Sequence, residues 1–269
     1  MHIEVISRLP QDEAHPVPLL FIHGAWHGAW CWDVHFLPYF AEQGFAAYAL
    51  SLRGHGESYS DKPKLVTSIW DYVTDVAKIA ARIEYEHGHA PVLIGHSMGG
   101  YVVQKYMERF IIPGAVLLAS VPSVGTLPFF LRILRDYLPT ALACGALLTT
   151  RPLVADVDRV HTLFFSEGMP REVVAQYQGH LVNESALVVL EGMLLSPPRP
   201  DRVQPAPLLV LGAAGDAVFP VFEVQATAAA YKTTATILPD TAHDIMLEPN
   251  WQPAADRIIA WLRELWPDN

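Results

Sequence analysis

Cysteine is scarce in this chain. Cys31 and Cys144 are the only two in 269 residues. That is too few for a thiolate metal cage and a poor basis for a disulfide framework, so both read as small buried hydrophobes in a reducing compartment. Long apolar runs are missing as well: nowhere do eighteen apolar residues follow one another, and the opening MHIEVISRLPQDEA has neither a cationic start nor an apolar core. Neither a membrane span nor a secretion signal is expected, and the expected location is the cytosol. Basic residues are in deficit, 18 Lys and Arg against 28 Asp and Glu, for a formal charge of -10. Nucleic acids and anionic membranes demand a basic face, so neither is an expected partner, and a neutral or apolar small molecule fits better. Apolar side chains are plentiful, at 51%, which suits one sizeable core carrying an insertion rather than two equal domains.

The stretch PVLIGHSMGG, residues 91–100, organises the rest. Val92, Leu93 and Ile94 make the short aliphatic run of a buried parallel strand, and Gly95-His96-Ser97-Met98-Gly99 fits the G-x-S-x-G nucleophile elbow. The elbow places a serine on a sharp strand-to-helix turn, where the residues two before and two after must lack side chains for the chain to close up. Residues 101–109 carry apolar positions at helical spacing, so the strand-turn-helix context is present. Ser97 is the candidate nucleophile.

Around this centre the chain alternates. Strands are expected at 3–9, 19–22, 45–50, 92–94 and 115–119, and helices at 31–43, at 68–86 and after the elbow. That order is the signature of a doubly wound, mostly parallel α/β sheet. The loop at 51–58, SLRGHGES, lacks the spacing and lysine of a phosphate cradle, and one histidine beside one glutamate is too few ligands for a metal. Arg53 and Glu57 read instead as a loop-ordering ion pair. From 121 to 207 the alternation stops, and proline-broken helical patterns with no clear strand suggest an inserted helical cap on a core of residues 1–120 and 208–269. Phe129, Phe130, Leu131, Leu134, Tyr137, Phe164 and Phe165 could line an apolar pocket there, although packing is the default role of most. Strands resume at 208–211 and 235–238, and a helix over 251–265 closes the chain.

A nucleophilic serine needs a base, and the base needs a carboxylate to fix its tautomer and stabilise its cation. The elbow fold runs serine, acid, histidine. Only His161, His180 and His243 follow Ser97, and the first two fall in the expected cap. The loop after 115–119 offers no carboxylate, whereas the next strand delivers Asp216 at its carboxyl end. Asp216 and His243 are therefore the expected acid and base. Asp240 and Asp244 are weaker acids, being too near His243 along the chain to reach its far nitrogen.

Together, His23-Gly24, Arg53-Gly54-His55-Gly56, Gly95-His96-Ser97-Met98-Gly99-Gly100, Gly215-Asp216 and His243 resemble the α/β-hydrolase superfamily over nearly the whole chain outside 121–207. Residues 23–32, HGAWHGAWCW, are also similar to plant methyl esterases and hydroxynitrile lyases. The resemblance implies an eight-stranded sheet with a helical lid, a Ser97, Asp216 and His243 triad, and an oxyanion hole from the amides of Ala25 and Met98, with Gly24 and Gly28 freeing the Ala25 loop. The same glycine- and tryptophan-rich stretch also fits a tight turn packed under aromatics. The lyases carry lysine directly behind the histidine, where this chain has Asp244, and the aspartate-nucleophile branches are set aside by Ser97. The expected function is a cofactor-free, metal-free serine hydrolase acting on a small, largely apolar ester. Two alternatives stand beside it: a non-hydrolytic enzyme on the same scaffold (cofactor-free dioxygenase, perhydrolase or haloperoxidase, or lyase), and a ligand receptor that retains the triad.

Overall fold

The computed structural model describes residues 2–12 and 14–267. Among them, seven strands form one sheet in the order β1-β3-β2-β4-β5-β6-β7. They are β1 Val5–Arg8, β2 Leu19–Ile22, β3 Ala47–Leu50, β4 Val92–His96, β5 Ala115–Leu118, β6 Leu208–Ala213 and β7 Ala235–Leu238. Only β1 is antiparallel, against β3, and the other five pairings are parallel. The resemblance implied eight strands; the segment before β2 supplies a single edge strand. β2, β3, β4 and β5 are buried at every position, because helices cover both faces and each side of a strand meets apolar neighbours.

The helices before the elbow follow the apolar spacing. Helix α3, Ile69–His87, comes after α1, Trp30–Asp33, and α2, Phe36–Glu42. A capping box opens α3: Ser68 Oγ accepts from the Asp71 amide and Asp71 accepts from the Ser68 amide. Gly88 closes it in the left-handed conformation at φ 73°. The single helix expected at 31–43 is split in two. Pro38 has no N–H and its ring crowds the carbonyl four residues back, so it is tolerated in the first turn of α2 but would break a helix running on from Trp30. Phe21, Trp32, Phe36 and Phe40 interlock beneath this pair, with ring centroids 5.0–6.3 Å apart around Phe21.

After the elbow comes α4, Met98–Met107. Between β5 and β6 the chain forms six α-helices, α5 Leu127–Asp136, α6 Leu138–Leu147, α7 Arg151–Val154, α8 Val157–Phe164, α9 Arg171–His180 and α10 Ala186–Leu190, with a π-helical turn at Glu191–Leu195 and a 3-10 turn at Pro200–Arg202, and contributes no strand to the sheet. A further helix that the sequence pattern did not reveal, α11 Val221–Ala230, joins β6 to β7. Apolar residues are spread around its VFEVQATAAA sequence, and the polar Glu223 and Thr227 are on the buried side, so it carries no one-sided stripe to betray it. The closing helix is α12, Gln252–Leu265. Of the two cysteines only Cys31 is buried as expected; Cys144, on α6, is half-buried.

Arg53 is structural, but its partner is not Glu57, which is exposed. The guanidinium grips the fully buried Asp75 of α3 at 2.6 and 2.9 Å and reaches Asp71 at 3.2 Å, while Asp75 also accepts from the Arg53 amide at 3.1 Å. A buried bidentate pair outcompetes an exposed one because the protein shields it from water. Removing one partner leaves a buried charge uncompensated, at about 3–5 kcal/mol. Asp75→Ala is expected to lose stability of that size in urea unfolding, and the Asp75→Ala/Arg53→Leu double variant to lose less than that single. Additive losses would count against a coupled pair.

Candidate active site

β4 and α4 meet at Ser97, which sits at φ 51°, ψ -116°, a setting sparsely populated for residues with a Cβ. The glycines around it are required by close approach. A Cβ on Gly95 would meet the Gly99 carbonyl oxygen at 2.5 Å, and one on Gly99 would meet the Ile22 carbonyl oxygen of β2 at 2.2 Å. The expected reason for these glycines holds, and the distances identify β2 as the second wall.

Ser97, His243 and Asp216 lie in one hydrogen-bonded line. His243 Nε2 is 3.0 Å from Ser97 Oγ, and His243 Nδ1 is 2.9 Å from Asp216 Oδ2. All three side chains are buried. The other oxygen of Asp216 accepts from the amides of Val218 and Phe219 at 2.8 and 2.9 Å, which holds the carboxylate in place. A carboxylate only accepts, so His243 Nδ1 carries the proton and Nε2 is free to accept from the serine hydroxyl. Phe219 and Phe164 pack on the His243 ring, with centroids 5.4 and 5.8 Å away.

The weaker candidates lie elsewhere. Asp240 is exposed in a turn at φ 50°, and Asp244 turns away from the far nitrogen of His243 to bond His27. His161 bonds the Ser166 carbonyl, and the His180 ring packs on Trp30.

Two neutral histidines brace the line. His96 Nε2 donates to the His243 carbonyl at 3.0 Å; burial and the neighbouring His243 push its pKa down to about 3. His23 donates from Nδ1 to the Gly24 carbonyl at 2.7 Å and accepts from the Leu52 amide at Nε2. Burial and then His55 hold its pKa well below the ordinary value. The glycines of the 23–30 loop serve closeness rather than freedom: a Cβ on Gly24 would meet His96 Nδ1 at 2.8 Å, and the left-handed residue here is Trp26, at φ 67°.

Ala25 and Met98 both line the cavity that opens beside Ser97. Met98 is the first residue of α4, so its N–H has no acceptor within the helix and lies at the positive end of the helix dipole. The cavity is narrow, about 50 Å3, with a wall that is almost entirely apolar: Trp26, Tyr101, Phe129, Phe130, Val188 and Phe219. Of the aromatics singled out from the sequence, Phe129 and Phe130 face it. Leu131 and Leu134 are exposed, Phe165 packs on Tyr177, and Tyr137 lies under the Arg159 guanidinium. Phe219 was legible in principle, three residues beyond Asp216 in the loop after β6. Val188 carried no signal, because a short aliphatic run in a helix looks the same whether it faces core or cavity.

Glu184 also lines the cavity, fully buried. Its carboxylate accepts from Tyr72 Oη and the Ser185 amide, each at 2.6 Å, and pairs with His55 Nε2 at 3.0 Å. Burial alone would raise its pKa, but His55, Lys64 and Tyr72 outweigh that and bring it to about 2. As for metals, His96, His243 and Asp244 bring potential ligand atoms within 4.8 Å of one another. His243 already has both nitrogens engaged and His96 Nε2 is committed to a carbonyl, so the arrangement reads as a hydrogen-bonded brace.

Over 115 residues the chain is 34% identical to a bifunctional esterase/perhydrolase from Acinetobacter calcoaceticus, a match covering 39% of this chain and 37% of that protein. A monoacylglycerol lipase from Mycolicibacterium smegmatis is 27% identical over 240 residues, 83% of this chain and 80% of the relative. Among solved structures, a thermophilic esterase from Thermogutta terrifontis superimposes with a TM-score of 0.70 at 20% identity, covering 98% of this chain and 94% of the other. The family model described as "Alpha/beta hydrolase family" matches residues 19–256, and the chain belongs to that family.

Proposed function

We propose that this protein is a serine esterase acting on small, largely apolar carboxylic esters, and that the helical segment at 121–207 serves as a cap over the substrate. The observation that carries this reading is the line Ser97–His243–Asp216, at 3.0 and 2.9 Å, opening onto an apolar cavity. Ser97 attacks the ester carbonyl while His243 takes its proton and returns it to the leaving alcohol. Asp216 holds the His243 tautomer and steadies the imidazolium. The amides of Ala25 and Met98 receive the oxyanion, each such donor contributing about 3–4 kcal/mol at the transition state. Water then releases the acid by the same steps in reverse. The names of the relatives support ester chemistry in the family.

A second reading shares the acyl-enzyme and differs in what attacks it. One relative is named both esterase and perhydrolase, which favours hydrogen peroxide as the alternative attacker. Peracid formation from an ester plus peroxide, lost in Ser97→Ala, would identify that branch.

Ser97→Ala is expected to lower kcat on p-nitrophenyl esters by roughly four to six orders of magnitude with the fold intact. His243→Ala should fall similarly and Asp216→Asn somewhat less. Turnover unchanged in Ser97→Ala would end the mechanism.

The narrow cavity sets a length preference. Forcing extra methylenes against its walls costs about 1–3 kcal/mol, so kcat/KM for the octanoate ester is expected roughly ten- to hundred-fold below that for acetate or propionate. Phe130→Ala, which shortens one wall, should narrow the gap. An octanoate optimum in the wild type would contradict the size reading.

A further inference from the structure

Behind the reacting face lies a second pair of buried groups. His27 Nδ1 is 2.8 Å from the Ala25 carbonyl oxygen and His27 Nε2 is 3.1 Å from Asp244 Oδ2, with side-chain exposures of 3% and 1% for His27 and Asp244. A carbonyl and a carboxylate are both acceptors. A neutral imidazole donates from one nitrogen only, so satisfying both bonds requires protons on both, giving an imidazolium against an ionised Asp244. Burial opposes the charged ring, but Asp244 and the bond to Ala25 outweigh it and raise the His27 pKa above its ordinary value. For Asp244 burial pushes upward, but the charge of His27 and its hydrogen bond bring it below the carboxylate range.

The pair joins the two loops that the reaction needs in register. Ala25 is the outer oxyanion donor, and Asp244 directly follows His243. The Asp244 amide also donates to the Phe164 carbonyl at 2.9 Å, and the Phe164 ring packs on both His27 and His243. The other ionisable groups around the pair do not take over its charge. The His96 ring stands 6.3 Å from His27 and is neutral, as is His23. Burial and then Asp244 keep the Cys31 thiol protonated, and burial raises the Glu248 carboxyl, which is held by Ser166. His243 faces Asp244 from its far side and is committed to Asp216.

We propose that the His27–Asp244 ion pair is a positioning device for the ester reaction, with protonated His27 holding the Ala25 carbonyl, and through it the backbone of the residue whose N–H serves the oxyanion hole, and Asp244 locking that loop to the one bearing His243. The assignment rests on the serine-esterase reading above. Neither residue touches substrate, so loosening the pair misplaces the donor without emptying the cavity. A misplacement of about 1 Å costs on the order of a hundred-fold. Because the folded pKa of His27 is raised, the brace is intact below that value and fails as pH rises through it, producing an alkaline fall in kcat. Removing the Asp244 charge lets burial dominate and moves that fall to lower pH.

The experiment compares wild type, Asp244→Asn, His27→Gln and the double variant, with thermal unfolding as the check on folding. Each single change is expected to lower kcat about a hundred-fold with KM little altered, and the double to lose no more than either single. Asp244→Asn should also move the alkaline limb to lower pH. Nitrogen-15 NMR of the histidine rings should show two N–H signals for His27 in the wild type at neutral pH. A single ring N–H, losses that multiply in the double variant, or a pH profile merely scaled down would each overturn the proposal. If wild type lacks Ser97-dependent ester turnover, it is the esterase reading that fails. The pair is then judged by fluorophosphonate labelling of Ser97, which needs the same nucleophile and oxyanion donors: slower labelling in Asp244→Asn supports it, and an equal rate overturns it.

Discussion

Ser97 is held at φ 51°, ψ -116° between close backbone approaches at Gly95 and Gly99. A residue with a Cβ in such a region costs about 1–3 kcal/mol and persists only where the surroundings over-determine it. Here the surroundings are backbone: Gly95 against Gly99, and Gly99 against the Ile22 carbonyl of the neighbouring parallel strand. The placement of Ser97 is thus inseparable from the β2–β4 pairing, Ile22 opposite Gly95. The same strand ends deliver His23 to one side and His96 to the other. The Ser97 side chain is thereby held at the cavity wall, and the strain is borne by the sheet core.

Buried polar groups around this point follow one rule. Where a histidine bonds one donor and one acceptor, or a single carbonyl, it is neutral; His23 and His96 act as struts. Where the buried groups are acids, each has a cation or several donors. Asp75 has Arg53, Asp244 has His27, and Glu184 has His55, Tyr72 and a backbone amide. In a low-dielectric interior an unpaired member would be costly, so these networks specify loop positions more than they add net stability. Several of the loops they fix are the ones that carry the site.

The helical segment between β5 and β6 is joined to the rest by polar contacts as well as by packing. Trp26 Nε1 donates to Thr150 at 2.9 Å and the Trp26 carbonyl accepts from the Val182 amide at 2.8 Å, so the loop bearing Ala25 is bonded directly to this segment. Arg132 grips Glu223 of α11 and the Val218 carbonyl just beyond Asp216. Glu248 accepts from the amide and hydroxyl of Ser166. The loops at 23–30, 216–219 and 243–248 thereby each have a polar contact with this segment.

Much of this was legible in the sequence. Short-range signals carry it: the G-x-S-x-G spacing, short aliphatic runs, the helical spacing of apolar positions over 68–86, and the chain order that left Asp216 and His243 after Ser97. Those signals depend on neighbours within a turn or a strand, where local sterics and periodicity act. The failures were of the opposite kind. Arg53 chose Asp75 over nearby Glu57 because burial, not proximity in sequence, sets the strength of an ion pair. Helix α11 carries no stripe because its solvent-exposed side, with Phe222 and three alanines, is as apolar as its buried one. Which of seven aromatic and aliphatic residues in 121–207 line the cavity depended on how helices with similar faces dock, and only Phe129 and Phe130 did. The chain alone determined the fold class and singled out Ser97, Asp216 and His243 as the candidate site residues. The tertiary structure decided the distances that make chemistry possible, bringing Ser97 within 3.0 Å of a histidine 146 residues away and setting Asp244 against His27 rather than against His243, because strand register and side-chain burial are properties of the packed whole.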